Sequence, residues 1–122
     1  MFRTGVRRNF EAYHALRGDF GAETEPHTHP YLIEWVVHSE TLDENGFAAD
    51  IARMDEVLGE VIGDLEGVFL NDLPYFQLRQ TSLENLAVYL HSLLDRAFGH
   101  PDESEMEVTI WESETAFASY RA

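Results

Sequence analysis

The chain of 122 residues contains no cysteine. That absence excludes a disulfide framework, a thiolate nucleophile and any zinc site built on thiolates, so a metal would have to be held by histidine, aspartate or glutamate. Positive charge is also scarce: 8 Lys+Arg stand against 23 Asp+Glu, a formal charge of −15. A surface of that sign repels phosphodiester backbones and anionic lipid heads, which argues against nucleic acid or membrane as a partner. No apolar run approaches the roughly 18 residues of a membrane span, and the N-terminus MFRTGVRRNFEAYHAL lacks the apolar core of a secretory signal. A cytoplasmic location is the default expectation. Three of the eight cations, Arg3, Arg7 and Arg8, fall in the first eight residues, where they could meet an anionic ligand or an acidic neighbouring subunit.

What is present suffices for one domain over residues 1–122, with 44% of residues in the hydrophobic set and 12% aromatic. There is no internal repeat, linker or low-complexity segment. Residues 2–14 alternate, with Phe2, Thr4, Val6, Arg8, Phe10, Ala12 and His14 on one parity that becomes apolar toward its end. This predicts a strand that points His14 toward the core. The stretch LRGDFGAETEP is aperiodic and rich in turn residues, hence loop. Residues 29–41 predict a second strand with His29, Tyr31, Ile33, Trp35 and Val37 on one face, Pro30 being tolerable near a strand's first residue or at an edge.

From Asp50, a fair N-cap, Met54, Val57, Leu58, Val61, Ile62 and Leu65 follow helical spacing. Residues 66–80 read as irregular. A second helix over about 82–97 carries Leu83, Leu86, Leu90, Leu93, Leu94 and Ala97 as its buried stripe, opened by a Thr81-x-x-Glu84 capping box. MEVTIWE and TAFASYRA then alternate as two strands about a turn at Ser113 and Glu114. The order β-β-α-α-β-β implies an α+β layer, two helices on one face of an antiparallel four-stranded sheet.

Chemistry concentrates at PHTHPY. If the strand is already extended there, His27 and His29 share a face about 7 Å apart, within reach of one ion. Zinc takes three or four ligands at roughly 2.0–2.1 Å, and His14, at the end of the first strand's inward row, is the natural third. His38 falls on the opposite strand face, His91 borders the second helix's stripe and His100 sits in a turn. Nothing in the sequence pairs these three with a carboxylate, so they read as ordinary side chains.

The segments FEAYH, HTHPY, GFAADI, LEGVFLN, TSLENLAVYL and IWESETAFASY resemble, in order and over nearly the whole chain, the 6-pyruvoyl tetrahydropterin synthase and 6-carboxytetrahydropterin synthase family. The resemblance implies a tunnelling fold (T-fold), whose copies close into a barrel, usually a homohexamer built as two trimers. It implies that His14, His27 and His29 are zinc ligands, with Thr28 and Pro30 replacing the family's residues around the pair. It also implies that Glu112 grips the paired N–H groups of a pterin ring, and that Thr81, Ser82 and Glu84 match a stretch at the ligand. Two parallel donors on a flat heterocycle suit the two oxygens of a carboxylate.

Against the same pattern Glu23 stands at the family's catalytic cysteine, Glu66 at its aspartate and Gly67 at its histidine. General acid–base steps contribute about 10²–10⁴-fold each and need a tuned group within reach. The leading expectation is therefore a homologue that binds a pterin-like or purine-like ring without the standard synthase step. The runner-up is a zinc-dependent carbon–oxygen lyase acting on dihydroneopterin triphosphate with Glu23 or Glu25 in the cysteine's place, since some family members resemble this chain in carrying a glutamate nearby. A third reading is a non-catalytic assembly or regulatory protein.

Overall fold

The computed structural model describes residues 1–122. Four strands form one antiparallel sheet in the order β1-β2-β3-β4, with β1 at Phe2–His14, β2 at His27–Ser39, β3 at Glu105–Trp111 and β4 at Phe117–Arg121. Between the two hairpins lie α1, Ile51–Gly63, and α2, Leu83–Phe98. Helix α1 packs on β1 while α2 packs across β3 and β4. The expected β-β-α-α-β-β layer is what forms.

Alternation sorts the sheet as the sequence predicts. Phe10, Ala12, His14, Tyr31, Ile33, Trp35 and Val37 are buried, as are Met106, Val108 and Ile110 from β3. Against them the helices set Met54, Val57, Leu58 and Ile62 from α1, and Leu86, Ala87, Leu90 and Leu94 from α2. Each fully buried leucine or isoleucine contributes about 1.5–3 kcal/mol relative to exposure, so this single core drives folding. Arg8, on the inward parity, ends at α1, where its guanidinium donates to the Asp55 carboxylate at 3.0 Å.

Several boundaries differ from expectation. Strand β2 starts at His27, two residues early, and Pro30 sits inside it. It is tolerated because β2 has only β1 beside it at that point; pairing with β3 begins at Leu32 opposite Trp111. The strand ends at Ser39, whose hydroxyl accepts from the Thr41 N–H and donates to the Thr41 carbonyl in a tight turn. Helix α1 stops at Gly63, although Leu65 remains buried in the turn beyond it. Asp50 does cap α1, accepting from the Arg53 N–H.

Helix α2 is capped by Ser82, which accepts from the Asn85 N–H at 3.2 Å, and not by Thr81. Thr81 is instead buried, with its side chain drawn toward His14. At the other end Ala97 is exposed, and Phe98 closes the stripe by packing edge-on against Trp35. Residues 66–80 carry two single 3₁₀ turns, and Tyr13 forms a parallel bridge to Phe69 on the outer edge of β1.

The sheet face away from the helices carries the ion pairs of Arg3 and Arg7 with Glu34 and the tilted ring pair of Trp111 and Phe117. A concavity of about 460 Å³ lies there between Arg7, Asn9, Pro30, Leu32 and Trp111. On this face Gly5 is opposite Val36, and a Cβ added to it would lie 2.5 Å from the Trp35 carbonyl oxygen. Gly5→Ala should therefore push β1 from β2 and destabilise the fold by about 1–3 kcal/mol. Thermal and denaturant unfolding would show it as a lowered midpoint, and an unchanged midpoint would mean that the strands can separate without loss.

Candidate metal centre

The β1–β2 register sets His14 directly opposite His27 and Ala12 opposite His29. Alternation turns all three imidazoles to the helix side, and the methyl of Ala12 leaves the space that the His29 ring takes. The rings lie within 4.4–5.1 Å of one another, centroid to centroid. The loop after β1 returns through a 3₁₀ turn, Gly21–Thr24, and brings Glu23 to the same place. One ligand atom from each of His14, Glu23, His27 and His29 lies within 4.8 Å of every other.

Hydrogen bonds behind the rings decide which nitrogens face inward. His14 Nδ1 donates to the Thr81 carbonyl at 2.9 Å, and His27 Nδ1 to the Glu25 carbonyl at 2.7 Å. A carbonyl oxygen only accepts, so both rings carry a proton on Nδ1 and turn Nε2 inward. Histidine ligands are commonly aimed by such outer contacts. His14 Nε2 is buried with no hydrogen-bond partner. His27 Nε2 faces His29 Nε2 at 3.0 Å and a Glu23 carboxylate oxygen at 2.8 Å.

Lone pairs and a carboxylate at these distances call for a proton or a metal cation between them. The donor set therefore suits a metal that takes nitrogen and oxygen in a tetrahedron, as zinc does. Burial, above all, lowers the His14 pKa below the ordinary 6.5, assisted by its two histidine neighbours and opposed by the Thr81 hydrogen bond and by Glu23. His14 is thus held neutral, the form that ligates.

Two residues that the sequence reading left out of the site hold it in shape. Asn71 accepts from the Ala15 N–H at 3.0 Å and donates to the Ala15 carbonyl at 2.8 Å, pinning the chain just past His14. Its only sequence signal was its place at the end of LEGVFLN. Tyr31 packs its ring against His14 and His29. Burial raises its hydroxyl pKa well above the ordinary tyrosine range, and the charges of Glu112 and then Glu23 add to the effect. Tyr31 therefore stays protonated.

The remaining sequence candidates divide by position. Glu112 follows the last residue of β3, half-buried, its N–H donating to the Ala116 carbonyl across the β3–β4 turn. It continues the parity of Met106, Val108 and Ile110, and its charge contributes to raising the Tyr31 pKa. Glu66 is turned to β1, where its carboxylate accepts from the Glu11 N–H at 3.3 Å, and it is not among the clustered ligands. Gly67 has φ +73° and donates its N–H to the Glu11 carbonyl. Glu25 contributes its carbonyl to His27, and its side chain is exposed. Ser82 caps α2, and Glu84 stands in the first turn of that helix.

The ordinary histidines are better partnered than the sequence suggested. His38 Nε2 lies 2.8 Å from a Glu107 oxygen, and His100 Nε2 lies 3.3 Å from an Asp95 oxygen. Both carboxylates come close only through the fold or the helix end, which spacing does not reveal. His91 donates from Nε2 to the Met106 carbonyl.

No curated protein sequence matches the chain. Among solved structures it is similar to the 6-pyruvoyl tetrahydropterin synthase of Caenorhabditis elegans, at 21% identity and TM-score 0.87, over 99% of this chain and 95% of that one. It is also similar to the Plasmodium falciparum 6-pyruvoyl tetrahydropterin synthase, at 16% identity and TM-score 0.81, over 99% and 97% of the two chains. A third similar structure is a Plasmodium vivax 6-pyruvoyltetrahydropterin synthase in which a catalytic glutamate is replaced by alanine, at 17% identity, TM-score 0.81 and the same coverage. These likenesses establish the fold. The family model described as 6-pyruvoyl tetrahydropterin synthase matches residues 4–122, and the chain belongs to that family.

Proposed function

We propose that this chain binds a pterin-like (or purine-like) ring through Glu112 beside a zinc ion held by His14, His27 and His29, and that Glu23 is the group that moves a proton there. The observation that carries this reading is the convergence of three Nε2 atoms and the Glu23 carboxylate on one point. A bound zinc would supply a Lewis acid next to the ring's side chain. Everything else is work for the chain's own groups.

Glu112 offers two acceptor oxygens to two parallel N–H donors, which fixes the ring's plane and its angle to the imidazoles. Glu84 and Ser82 at the start of α2 would border the same ligand. Thr81, buried behind His14, would act by orienting that ring. Glu23 has a half-exposed side chain that reaches the imidazoles while staying open to an incoming molecule. Of the three carboxylates proposed from sequence, it is the one the fold brings to the histidines, and a glutamate is the residue named as catalytic in the similar Plasmodium vivax structure.

The chain has no cysteine, and Gly67 offers no side chain where the family's pattern has histidine. A Cys/Asp/His relay is therefore not available, and the reading is of a homologue whose proton transfer runs through Glu23 in place of the standard synthase step. The uncovered sheet face, the open edge of β4 and the edge of β1 ahead of Glu11 fit assembly of copies edge to edge into a barrel, as a homohexamer of two trimers, acting in the cytoplasm.

Three measurements test this. Elemental analysis of untagged protein should find about one zinc per chain, falling sharply in His29→Ala; far less than one in the parent protein would remove the metal. Glu112→Gln should weaken binding of a reduced pterin by at least about tenfold in calorimetry, the loss expected when a charge-assisted pair becomes a neutral one, and equal affinity would reject its role. Glu23→Gln keeps the shape but not the base, so turnover of a dihydropterin substrate should fall by about 10² or more. Unchanged turnover, or efficient formation of 6-pyruvoyl or 6-carboxy product by the parent protein, would overturn the assignment.

A further inference from the structure

The two edge strands of the sheet, β1 and β4, have complementary free edges. Each strand is antiparallel to its neighbour, so β1 and β4 also run in opposite directions. A copy brought alongside by rotation about an axis along the strands therefore sets its β4 antiparallel to this β1.

Hydrogen bonds set the phase of each edge. Beyond β1, the Glu66 carboxylate accepts from the Glu11 N–H, Gly67 donates to the Glu11 carbonyl and Tyr13 donates to the Val68 carbonyl. Odd residues of β1 thus aim their backbone groups away from β2. Glu11 and Tyr13 are already engaged, while the outward groups of Arg3, Gly5, Arg7 and Asn9 have no partner. On β4, the bond from the Glu112 N–H to the Ala116 carbonyl leaves Phe117, Ser119 and Arg121 facing outward.

Closure into a barrel fixes the offset between the two edges. Within the chain the rows run straight across, with Gly5 level with Val36, Glu107 and Arg121. Straight rows all the way round would leave the strands upright, whereas barrel strands tilt by roughly 35–45°. Equal strand and shear numbers give a tilt of about 36°, which for a four-stranded copy is a step of about four residues at each junction. The step is the same for a ring of any number of copies.

Chirality gives the step its direction. Even residues of β1 turn their side chains to the helices and their backbone groups to β2, so for L-residues β2 lies to the right of an upward β1 seen from the helix side. The helix layer needs the larger radius and takes the outside of the barrel. The right-handed twist of the strands then steps each junction toward the start of β1, setting Ser119 opposite Arg3 and Phe117 opposite Gly5. A step the other way would set Ser119 against Glu11 and Phe117 against Tyr13, where Glu66, Gly67 and Val68 already close the edge.

The side chains agree with this register. Phe117 is 55% exposed in the single chain, and an aromatic ring laid beside an edge glycine is a means of pinning register. On the helix side Phe2, 46% exposed, would face Tyr120, an aromatic cross-strand pair. A step half as long would instead oppose Arg3 to Arg121, and like charges directly opposite destabilise a strand pair.

Resting on the barrel reading above, we propose that the surface formed by Phe2–Gly5 of β1 is the docking edge for β4 of a second copy, with the neighbouring copy's Phe117 over Gly5 and Glu66 closing the edge beyond it.

The chain has no cysteine, so paired substitutions report the register directly. Thr4→Cys with Ala118→Cys sets two thiols opposite each other across the proposed junction, in a non-hydrogen-bonded pair whose spacing suits a disulfide. Arg8→Cys with Ala118→Cys does the same for straight rows. Mild oxidation should link the first pair between chains at least about tenfold more than the second, scored as reducible multimers on non-reducing gels. Preferential linking of the second pair, or linking of neither in a protein that sediments as a ring, would overturn the register and leave edge-to-edge assembly standing. A parent protein that stays monomeric in analytical ultracentrifugation would overturn both.

Discussion

The site depends on the pairing register of one hairpin. Because β1 and β2 meet with His14 opposite His27 and Ala12 opposite His29, three imidazoles are delivered to one side of the sheet by the same alternation that builds the core. A slip of one residue would turn every side chain of a strand to the other face. Phe10, Tyr31, Ile33, Trp35 and Val37 hold the register against such a slip, since each would have to leave the core. The apolar rows and the clustered imidazoles are thus one pattern: hydrophobic burial selects the pairing, and the pairing aims the rings.

The second organising fact is the distribution of charge. With nearly three carboxylates for each arginine, the fold uses its few cations as clasps, on Glu34, on Asp55, on Glu105 and on loop carbonyls. Exposed pairs of this kind contribute little stability individually. Their effect is to leave the remaining carboxylates free to define the surface, and around the histidines that surface is acidic. The donor set is one that could take a cation at a single point.

Much of this was legible from residues alone, where periodicity carries the information. The inward rows of the strands, the stripes of both helices, the Asp50 cap and the three histidines followed from alternation or helical spacing. Four features did not. Pro30 suggested a strand beginning near it, but its tolerance depends on β3 not yet having joined β2. Thr81 and Ser82 are both able caps, and only the burial of Thr81 against His14 decides between them. Glu107 comes to His38 across a strand pair 69 residues away in sequence. Glu23 and Glu25 stand in an aperiodic loop, and a single 3₁₀ turn sends the first to the imidazoles and leaves the second's side chain outside. The recognisable order of FEAYH, HTHPY and LEGVFLN supplied the family, which periodicity could not.

Thr81 joins two parts of the molecule that are 67 residues apart in sequence. Its carbonyl receives the His14 ring proton, its hydroxyl donates to the Ala15 carbonyl, and the next residue caps α2. Anything that restrains His14 therefore also braces the first turn of that helix. Occupancy of the centre and the rigidity of the helix start are linked quantities, each reinforcing the other as any ligand favours the conformation it binds.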